Sequence, residues 1–425
     1  MTKENVLVLG SGGREHALCW KLLKSPYLKQ LYCIPGNGGI EAIAHTDTSV
    51  DIMNFDAVKQ FAIDHDISLI VVGKENPLVS GIVDYFNKNT EIKVFGPNQH
   101  AATLEGSKIF AKNFFTKHDI PTAPYHTFFS KDDAIYYLRS QAVYPVVIKA
   151  DGLAQGKGVM IVHTEEEAMH SIKEMMDSKR FQSSGEKIVI ENFLDGKELS
   201  YQLLFMEGEF VELIPSVDYK RALDDNEGPN TGGMGNMAPP PWLDDDLIKQ
   251  IKHKIIKKLA SSLKMDGIQF TGVLFLGLMI CNKTPYVLEI NVRFGDPESQ
   301  VVLPLLKNDL LEIMLNPKTP FSETDLTWLD KKATCVVLTS KGYPDHYEID
   351  KPITGLEKLT GKDNVLVFHA GTKKNGNQYY TCGGRVLNVV GLGDTWQESR
   401  QVAYEAAKLI HFDGKTHRTD IGLFE

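Results

Sequence analysis

The amino-acid sequence predicts a chain built from several α/β and α+β domains. Its 425 residues, of which 42% are hydrophobic, are enough for two or three separate cores. Up to about residue 100, short apolar strands alternate with helical stretches, which is the pattern of a parallel α/β unit. From 103 to 315 several strands follow one another, so neighbouring strands should pair antiparallel, and a smaller unit follows at 316–425.

The elements of the first unit, 1–102, follow from hydrophobic periodicity. Three apolar runs predict strands, and the amphipathic stretches between them predict helices that cross over from one parallel strand to the next. The predicted strands are Val6–Leu9, Leu69–Val72 and Lys93–Phe95, and the predicted helices are Glu15–Lys24, Phe55–His65 and Val79–Asn87.

The two later units are predicted in the same way. In the central unit the runs YPVVIKA, KIVIENF, LSYQLLF and FVELIP predict strands, with helices near 165–177 and 244–263. The Gly- and Pro-rich stretch from Asp218 to Pro241 is predicted to be one long loop, and loops of that length are usually functional or disordered. In the last unit ATCVVLTS, VLVFHAG and GGRVLNVVG predict strands before a helix at Thr395–Leu409.

Composition excludes several classes of protein. The net charge of -9, with no run of basic residues, indicates no positively charged surface for binding nucleic acid. The apolar run GVLFLGLMI is too short to span a bilayer, and no signal sequence is recognisable, so no membrane association is expected. The five cysteines have no metal-binding or redox spacing, which favours a cytoplasmic location.

The first strand runs into a glycine-rich turn, LGSGGREHALCW. This turn fails the dinucleotide fingerprint, because Glu15 stands at the third glycine position and no acidic residue closes the next strand. A small phosphate at the turn Gly10–Arg14, which includes Gly12, Gly13 and Arg14, remains a hypothesis, and a tight strand-to-helix turn without a ligand is the alternative.

A second glycine-rich segment, IKADGLAQGKGVMIV, does not have the Walker A spacing. It offers a strand ending at Lys149, a loop containing Gly156 and Gly158, and a second strand. Such a hairpin can close over phosphates as a flap, with main-chain N–H groups as donors and Lys149 as the cation. A flexible hairpin with an exposed lysine is the alternative.

Two further strands carry candidate ligands for a nucleotide. In VIENFLDGKELS the main chain near Glu191, Phe193 and Leu194 could meet an adenine edge, and Glu198 could accept hydrogen bonds from ribose; ordinary surface carboxylates are the alternative. In LEINVRFGDPES alternation places Glu289, Asn291 and Arg293 on one face and Leu288, Ile290 and Val292 on the other. Glu289 and Asn291 suit Mg²⁺, and Arg293 suits a transferring phosphoryl group, unless the strand is a solvated edge.

These motifs together, with LEGSK before them, resemble the ATP-grasp superfamily and, over the whole chain, the phosphoribosylamine–glycine ligase family. The more specific segments are GSGGREHAL, VGKENPLV, IKADGLAQGKGV, GPNTGGMG, NVRFGDPE, VFHAGT and CGGRVL. The resemblance implies an N-terminal parallel α/β domain, a two-lobed ATP-grasp domain with a mobile flap lobe at about 122–192, and a small C-terminal domain. One departure is that TGVLFLGL carries no acidic residue, whereas many relatives have a further metal ligand on that strand.

The resemblance also implies roles for individual residues. Lys108 and Lys149 would hold ATP phosphates, Glu289 and Asn291 would bind Mg²⁺ or Mn²⁺, and Arg293 and Lys149 would be catalytic. The adenine and ribose would be met by Glu191, Phe193, Leu194 and Glu198, with Gly156 and Gly158 in the flap. The phosphoribosylamine would be surrounded by Gly12, Gly13, Arg14, Glu75, Asp296 and Arg385. The resemblance names no residues for glycine, for which we look to the long loop, at Asp218, Arg221 and Thr231–Gly233.

The implied reaction joins glycine to 5-phosphoribosylamine at the expense of ATP, through glycyl phosphate, in the second step of purine synthesis. Its implied partners are these small molecules, with possible transient contact between the chain and neighbouring purine-pathway enzymes. Two alternatives stay open at this point. The chain could be another ATP-dependent ligase or carboxylase of the same superfamily, or a nucleotide-binding regulatory module without turnover.

Overall fold

The computed structural model describes residues 3–153, 158–177, 187–206, 208–315 and 326–424. The flap residue Gly156 therefore lies outside the described residues. Within the described ranges, no helix combines the length and the apolar character needed to cross a membrane.

The N-terminal part is a five-stranded parallel sheet with helices beside it. Its strands are β1 (Glu4–Gly10), β2 (Leu28–Pro35), β3 (His45–Thr46), β4 (Ile67–Val72) and β5 (Lys93–Phe95), in the order β3-β2-β1-β4-β5. Its helices are α1 (Gly13–Leu22), α2 (Phe55–Asp64), α3 (Glu75–Val79), α4 (Ile82–Asn89) and α5 (Gln99–Gly106). The strand order reverses between β1 and β4, and ligands of such sheets bind where the carboxyl ends of the two strands diverge.

The next part is a small antiparallel lobe. It contains α6 (Lys108–Lys117), β6 (Tyr125–Phe128), α7 (Lys131–Ser140), β7 (Val146–Ala150), β8 (Val159–Val162), α8 (Glu165–Ile172) and β9 (Ile188–Asn192). The sheet order is β6-β9-β7-β8, and α7 and α8 cover it with a core of their own that includes Leu138, Ile148 and Ile172. The predicted hairpin is confirmed, because Lys149 on β7 pairs with Val159 on β8.

A second antiparallel lobe follows. Its segment contains β10 (Lys197–Met206), β11 (Glu209–Glu212), β12 (Val217–Asp218), β13 (Arg221–Leu223), β14 (Glu227–Asn230), β15 (Gly235–Ala238), α9 (Asp245–Ile251), α10 (Lys257–Met265), β16 (Gly272–Cys281) and β17 (Thr284–Asn291). The lobe's sheet has the order β11-β10-β16-β17. One π-helical turn at Lys252–Ile256 joins α9 to α10, where a single helix was predicted.

The C-terminal part is a mixed layer of sheet and helix. It contains α11 (Ser299–Leu305), α12 (Leu310–Leu315), β18 (Lys332–Thr339), β19 (Pro352–Ile353), β20 (Val365–His369), β21 (Thr372–Asn375), β22 (Gln378–Thr381), β23 (Arg385–Gly393) and α13 (Trp396–Leu409). Its main sheet has the order β12-β15-β18-β23-β20, and β19-β22-β21 form a smaller one. Helix α13 begins at a Thr395 cap, as the sequence predicts, and packs with residues of β18 and β23 in one core.

The stretch from Asp218 to Pro241 was predicted as a single loop, and that prediction is wrong. It contains four short strands, of which β13 and β14 form a hairpin while β12 and β15 join the C-terminal sheet. Strand β15 pairs with β18, about 100 residues later, so the partner that makes it a strand is not visible in the local sequence.

The predicted helix Val79–Asn87 is also wrong in its bounds. Two helices, α3 and α4, meet here, and Gly81 between them has a φ of +89°. A residue in this left-handed region breaks the α-helical path, and glycine adopts it without steric strain. The break leaves Glu75 in the first turn of α3, close to the carboxyl end of β4.

Candidate active site

One cavity of about 500 Å³ lies where the N-terminal sheet, the two antiparallel lobes and the C-terminal sheet meet. It brings together most of the predicted site residues. The cavity is lined by Gly12, Arg14, Glu75, Lys108, Lys149, Gly158, Glu191, Asp218, Glu289, Asn291, Arg293, Asp296 and Arg385. Among the described residues, Gly13, Phe193, Leu194, Glu198 and Arg221 are predicted site residues that do not line it.

Strand β17 carries the central acceptors of the cavity. Glu289 pairs with Gly277 of β16, while Val287 pairs with the adjacent Leu278, so Leu288 is an extra residue in a bulge. Strict alternation was therefore wrong at Leu288: Val287 and Ile290 are buried in the core, whereas Leu288 lines the cavity without belonging to that core. The bulge leaves Glu289 and Asn291 on the cavity side.

Glu289 and Asn291 have the chemistry of a site for a hard divalent cation. Lys220, 3.4 Å from Oε1 of Glu289, is the main cause that holds the pKa of this carboxyl down at about 2, so it is ionised at neutral pH. The described residues contain no group of three or more His, Cys, Asp or Glu side chains that could hold a metal. These two oxygen donors therefore fit a cation whose remaining ligands are phosphate oxygens or water.

The strand beside them confirms the departure noted in the sequence. Residues Gly277 and Phe275 of β16 lie opposite Glu289 and Asn291, and neither has a side-chain oxygen. A Cβ on Gly277 would come within 3.0 Å of Glu289 Cγ, so this glycine gives the carboxylate its space.

Two lysines of the first lobe reach the cavity, Lys149 from β7 and Lys108 from α6. Lys149 Nζ lies 2.9 Å from Glu191 Oε1 and donates to the main-chain oxygen of Leu288 at 3.1 Å. Lys108 Nζ donates to the oxygen of Gly152 at 2.8 Å, and burial lowers the pKa of Lys108. Both ammonium groups are held at the base of the β7–β8 hairpin, opposite Glu289.

Arg293 lies at the border between the two antiparallel lobes and the N-terminal sheet. Its Nε is 3.2 Å from Glu75 Oε2, and its Nη2 is 3.3 Å from Glu105 Oε1. Nη2 also donates to Asn291 Oδ1 at 3.1 Å, which ties the arginine to a candidate metal ligand. Burial would raise the pKa of Glu75, but Arg293 and Arg14 outweigh it and hold that pKa at about 2.

The glycine-rich turn after β1 already has an internal anion. The carboxylate of Glu15 accepts from the Gly12 N–H at 2.5 Å and lies 2.6 Å from Arg14 Nε. Glu15, the residue that breaks the dinucleotide fingerprint, therefore takes the amide that a phosphate would use. Gly13 is required by packing, because a Cβ at this position would come within 2.2 Å of Asn388 Nδ2.

Arg385 enters the cavity from the start of β23. Its Nη2 lies 3.1 Å from Asp296 Oδ2, and its Nη1 donates to the main-chain oxygens of Asp296, at 2.9 Å, and Gly232. Asp296 Oδ2 is also 3.1 Å from the position that a Cβ on Gly12 would occupy. Arg385 and the first turn of α1 thus lie at one end of the cavity, although 373 residues separate Gly12 from Arg385.

Lys220 lies among carboxylates of the cavity, on the segment that also carries Asp218. Its Nζ lies 3.0 Å from Glu198 Oε2, which connects Glu198 to the site although it does not line the cavity. Burial lowers the pKa of Lys220, but Glu198 and Glu289 outweigh it and hold the pKa above its usual value. Asp218 is half-buried, with its Oδ1 atom fully buried, and its pKa is raised, first by desolvation and then by Glu298. Arg221 is not brought to the cavity, since β13 pairs with β14 in a separate hairpin.

The cavity lining includes six charged residues that were not predicted as site residues: Glu15, Lys74, Glu298, Glu105, Lys112 and Lys220. The last three are held by ion pairs with distant parts of the chain. Each of these three pairs with a partner at least 69 residues away in the chain, so no local pattern marks it. Glu105 had the most visible signal, because it stands in the LEGSK motif that drew attention to Lys108.

The chain matches three family models in succession. These are the N domain of phosphoribosylglycinamide synthetase at residues 4–105, its ATP-grasp (A) domain at 106–299 and its C domain at 333–424. The phosphoribosylamine–glycine ligase of Caldanaerobacter subterraneus is 44% identical over 98% of this chain and 99% of its own. A bifunctional purine biosynthetic protein of Pichia angusta is 44% identical over 99% of this chain, which spans 54% of that protein.

A solved structure agrees with the sequence comparisons. The crystal structure of the phosphoribosylamine–glycine ligase of Thermotoga maritima superposes with a TM-score of 0.82 at 34% identity, covering 98% of this chain and all of its own. The fold class predicted from the sequence is thereby confirmed. The chain belongs to the phosphoribosylglycinamide synthetase family.

Proposed function

We propose that the chain joins the carboxylate of glycine to the amine of 5-phosphoribosylamine, forming N1-(5-phosphoribosyl)glycinamide while ATP becomes ADP and phosphate. This reaction is the one that gives its close relatives their name. The observation that carries the proposal is the shared cavity, in which Lys108 and Lys149 face Glu289 and Asn291 while Arg385 lies at another end. Cations at two places in one cavity suit a reaction with two phosphorylated substrates.

ATP would lie between the two antiparallel lobes. Lys108 and Lys149 would bind its phosphates, because both ammonium groups reach the cavity beneath the β7–β8 hairpin, in which Gly158 is described. The adenine would lie against the main chain at the end of β9 and just after it, near Glu191, Phe193 and Leu194, because the Glu191 carboxylate itself is paired with two lysines. Glu198 would accept hydrogen bonds from the ribose, and its pairing with Lys220 supports a place near the cavity.

Glu289 and Asn291 would hold a divalent cation, which we propose to be Mg²⁺ or Mn²⁺. An ionised carboxylate and an amide oxygen two residues apart suit these hard cations. When bound, the cation would neutralise negative charge on the phosphates.

The chemistry needs no nucleophilic side chain. A carboxylate reacts poorly with an amine, so the glycine carboxylate first attacks the γ-phosphorus, giving glycyl phosphate and ADP. Lys149 and Arg293 would spread the charge that develops on the transferred group. The amine of the second substrate then attacks the acyl carbon and expels phosphate, leaving an amide. Acyl phosphates hydrolyse, so a closed hairpin would exclude water.

The second substrate would lie at the junction with the N-terminal and C-terminal domains. Its phosphate and ribose would be met by Arg14, Glu75, Asp296 and Arg385, with the turn of Gly12 and Gly13 behind them. The carboxyl ends of β1 and β4 support this place, since ligands of parallel sheets bind where strand order reverses.

Glycine would lie near Asp218 and residues 231–233. Asp218 and Thr231 line the cavity, and Asp218 Oδ1 is buried without a hydrogen-bond partner in the described structure. Arg221 is left out of this proposal, because it does not line the cavity.

The division into domains also remains a proposal: 1–102, 103–315 and 316–425, with a flap lobe at about 122–192. The separate core beneath α7 and α8 supports the flap lobe. Strands β12 and β15, however, lie in the C-terminal sheet, so the central segment contributes to both. We further propose a cytoplasmic location. We also propose transient contacts with other purine-pathway enzymes, which are supported by the bifunctional Pichia relative.

A coupled assay of ADP release tests the function. 5-Phosphoribosylamine is generated in the cuvette, and ADP release is followed with each substrate omitted in turn. We expect release to require glycine and 5-phosphoribosylamine together. ADP release at the same rate without 5-phosphoribosylamine would indicate a different ligase. The absence of ADP release under all conditions would contradict the proposal.

A further inference from the structure

Lys112 is a cation of the cavity that the proposed mechanism does not use. It lies on α6, one turn after Lys108, and its side chain is 3% exposed. Burial lowers its pKa to about 8, although Glu191 acts in the opposite direction. A buried ammonium group needs partners that replace its hydration, and these partners indicate what it does.

The first set of partners fixes the ammonium group itself. Lys112 Nζ donates to Thr122 Oγ1 at 2.7 Å, and Thr122 Oγ1 donates to the main-chain oxygen of Val287 at 2.7 Å. Val287 lies on β17, two residues before Glu289. Lys112 is thus held at a defined place relative to the strand with the candidate metal ligands.

The second partner is a carboxylate that Lys112 shares with Lys149. Lys112 Nζ lies 3.0 Å from Glu191 Oε2, and Lys149 Nζ lies 2.9 Å from Glu191 Oε1. The Glu191 side chain is 2% exposed, so solvent does not replace either lysine. Each oxygen of the carboxylate therefore faces one ammonium group as an ion pair, and Oε1 makes no hydrogen bond within the described residues that would hold it elsewhere.

We propose that Lys112 is a positioning residue for Lys149: it holds one oxygen of Glu191 so that the other oxygen places the Lys149 ammonium group where nucleotide phosphates bind. Without Lys112, Glu191 would turn both oxygens to Lys149 and draw it away from a bound phosphate. The inference rests on the proposed function, because Lys149 must face ATP.

The test compares Lys112→Met with a matched control on the same helix. Lys117→Met removes an α6 lysine whose side chain is 63% exposed and pairs with Asp266 at 2.6 Å. Calorimetric titrations use ADP with Mg²⁺ in one series and adenosine in the other. We expect Lys112→Met to weaken ADP binding about ten-fold, because the hydrogen bond from Lys149 to phosphate is displaced rather than removed, and to leave adenosine binding unchanged. Lys117→Met should bind both as the unmodified chain does.

A double mutant tests whether the effect passes through Glu191. In a Glu191→Gln background, Lys112→Met should weaken ADP binding little further, because the intermediary has already been altered. Equal weakening for ADP and adenosine, an unchanged ADP affinity, or full additivity with Glu191→Gln would each overturn the inference. If Lys112→Met does not fold, Lys112→Gln, which keeps a polar donor without the charge, gives the same comparison. An unmodified chain that fails to bind ADP would contradict the proposed function instead.

Discussion

At the scale of single residues, the cavity is organised by charges that are paired before any substrate arrives. Glu289 pairs with Lys220, Arg293 with Glu75 and Glu105, and Arg385 with Asp296. Such pairing offsets the cost of burying each charge. It also means that a bound phosphate or cation has to exchange places with an existing partner, so the removal of one charge leaves its partner unpaired.

Glu289→Gln tests the candidate metal site. The substitution keeps the shape of the side chain but removes the anionic ligand and the charge that Lys220 faces. We expect turnover to fall at least about 100-fold, as for other groups that stabilise charge in a transition state. The measurement is the rate of ADP release over a series of Mg²⁺ concentrations.

Glu209→Gln is the control for this prediction, because Glu209 is an exposed carboxylate of the same lobe that pairs with Lys264. Its turnover should be normal. A near-normal rate for Glu289→Gln at ordinary Mg²⁺ would remove Glu289 from the metal site.

The sequence predicted the residues whose signal is local. Period-two alternation marked Glu289, Asn291 and Arg293, and the neighbouring glycines marked Lys149. The predicted strand was nevertheless too long, because β17 ends at Asn291 and Arg293 lies two residues beyond it. Glu105, Lys112 and Lys220 were missed because each is defined by a partner in another element. The orientation of Leu288 was wrong because a bulge depends on the pairing of two strands, which one strand's pattern does not contain.

At the scale of elements, the start of α6 is tied to the base of the β7–β8 hairpin. Asp151 Oδ1 accepts from the Ile109 N–H and from Ser107 Oγ, each at 3.0 Å, and Ser107 caps the helix through the Phe110 N–H. Lys108 lies between these capped residues and donates to the oxygen of Gly152. The helix terminus therefore places Lys108 against the segment that carries Lys149, and both lysines are proposed phosphate ligands.

Asp151→Ala tests this connection. Loss of the capping carboxylate should lower the free energy of unfolding by about 0.5 to 2 kcal/mol, the usual range for a helix cap. Because Lys108 would lose its fixed position, ADP affinity should fall as well. Urea denaturation and calorimetric titration measure the two effects.

Asp151→Asn separates geometry from charge, since the amide keeps an acceptor for the Ile109 N–H. It should recover most of the stability that Asp151→Ala loses. If Asp151→Ala left both stability and ADP binding unchanged, the cap would play no part in placing Lys108.

Elements, like single residues, were predicted where the sequence signal is local and were missed where the element depends on a distant partner. Helix α13 and strands β7, β17 and β23 were predicted close to their observed places, because each has a continuous apolar pattern. Strands β12 and β15 were not predicted, because β15 pairs with β18 far along the chain and β12 pairs with β15 across a stretch rich in turn residues.

At the scale of the whole molecule, the N-terminal and C-terminal parts meet through α1 and β20. The His369 N–H donates to His16 Nδ1 at 2.8 Å, and Asn37 Nδ2 donates to the oxygens of His369, at 2.8 Å, and Ser11, at 2.9 Å. Burial lowers the pKa of His16 to about 3 and that of His369 to about 4. Both imidazoles are therefore neutral in the folded protein at neutral pH.

This junction predicts a dependence of stability on pH. An unfolded histidine binds its proton near pH 6.5, whereas folded His16 does so only near pH 3, so stability is lost as the pH falls from 6.5 toward 3. His16→Asn keeps an acceptor for the His369 N–H but does not titrate. Between about pH 7 and about pH 5 the unmodified chain should lose about 2 kcal/mol more than His16→Asn, measured by urea denaturation. Equal losses in the two proteins would show that His16 is not buried in its neutral form.

The central claim is that one cavity divides its work between domains, with ATP on the side of the two lobes and the sugar phosphate on the side of β23. The most direct measurement compares Arg385→Ala with Lys149→Ala by steady-state kinetics, together with calorimetric titration of ADP into each variant. Removing a charge-assisted hydrogen bond costs about 1.5 to 3 kcal/mol, or roughly 10- to 150-fold in affinity.

Arg385→Ala should raise the Michaelis constant for 5-phosphoribosylamine by this factor and leave ADP affinity nearly unchanged. Lys149→Ala should weaken ADP binding and slow turnover, with a smaller effect on 5-phosphoribosylamine. If Arg385→Ala were normal toward 5-phosphoribosylamine, or lost ADP binding as severely as Lys149→Ala, the division of the cavity between the two substrates would be wrong.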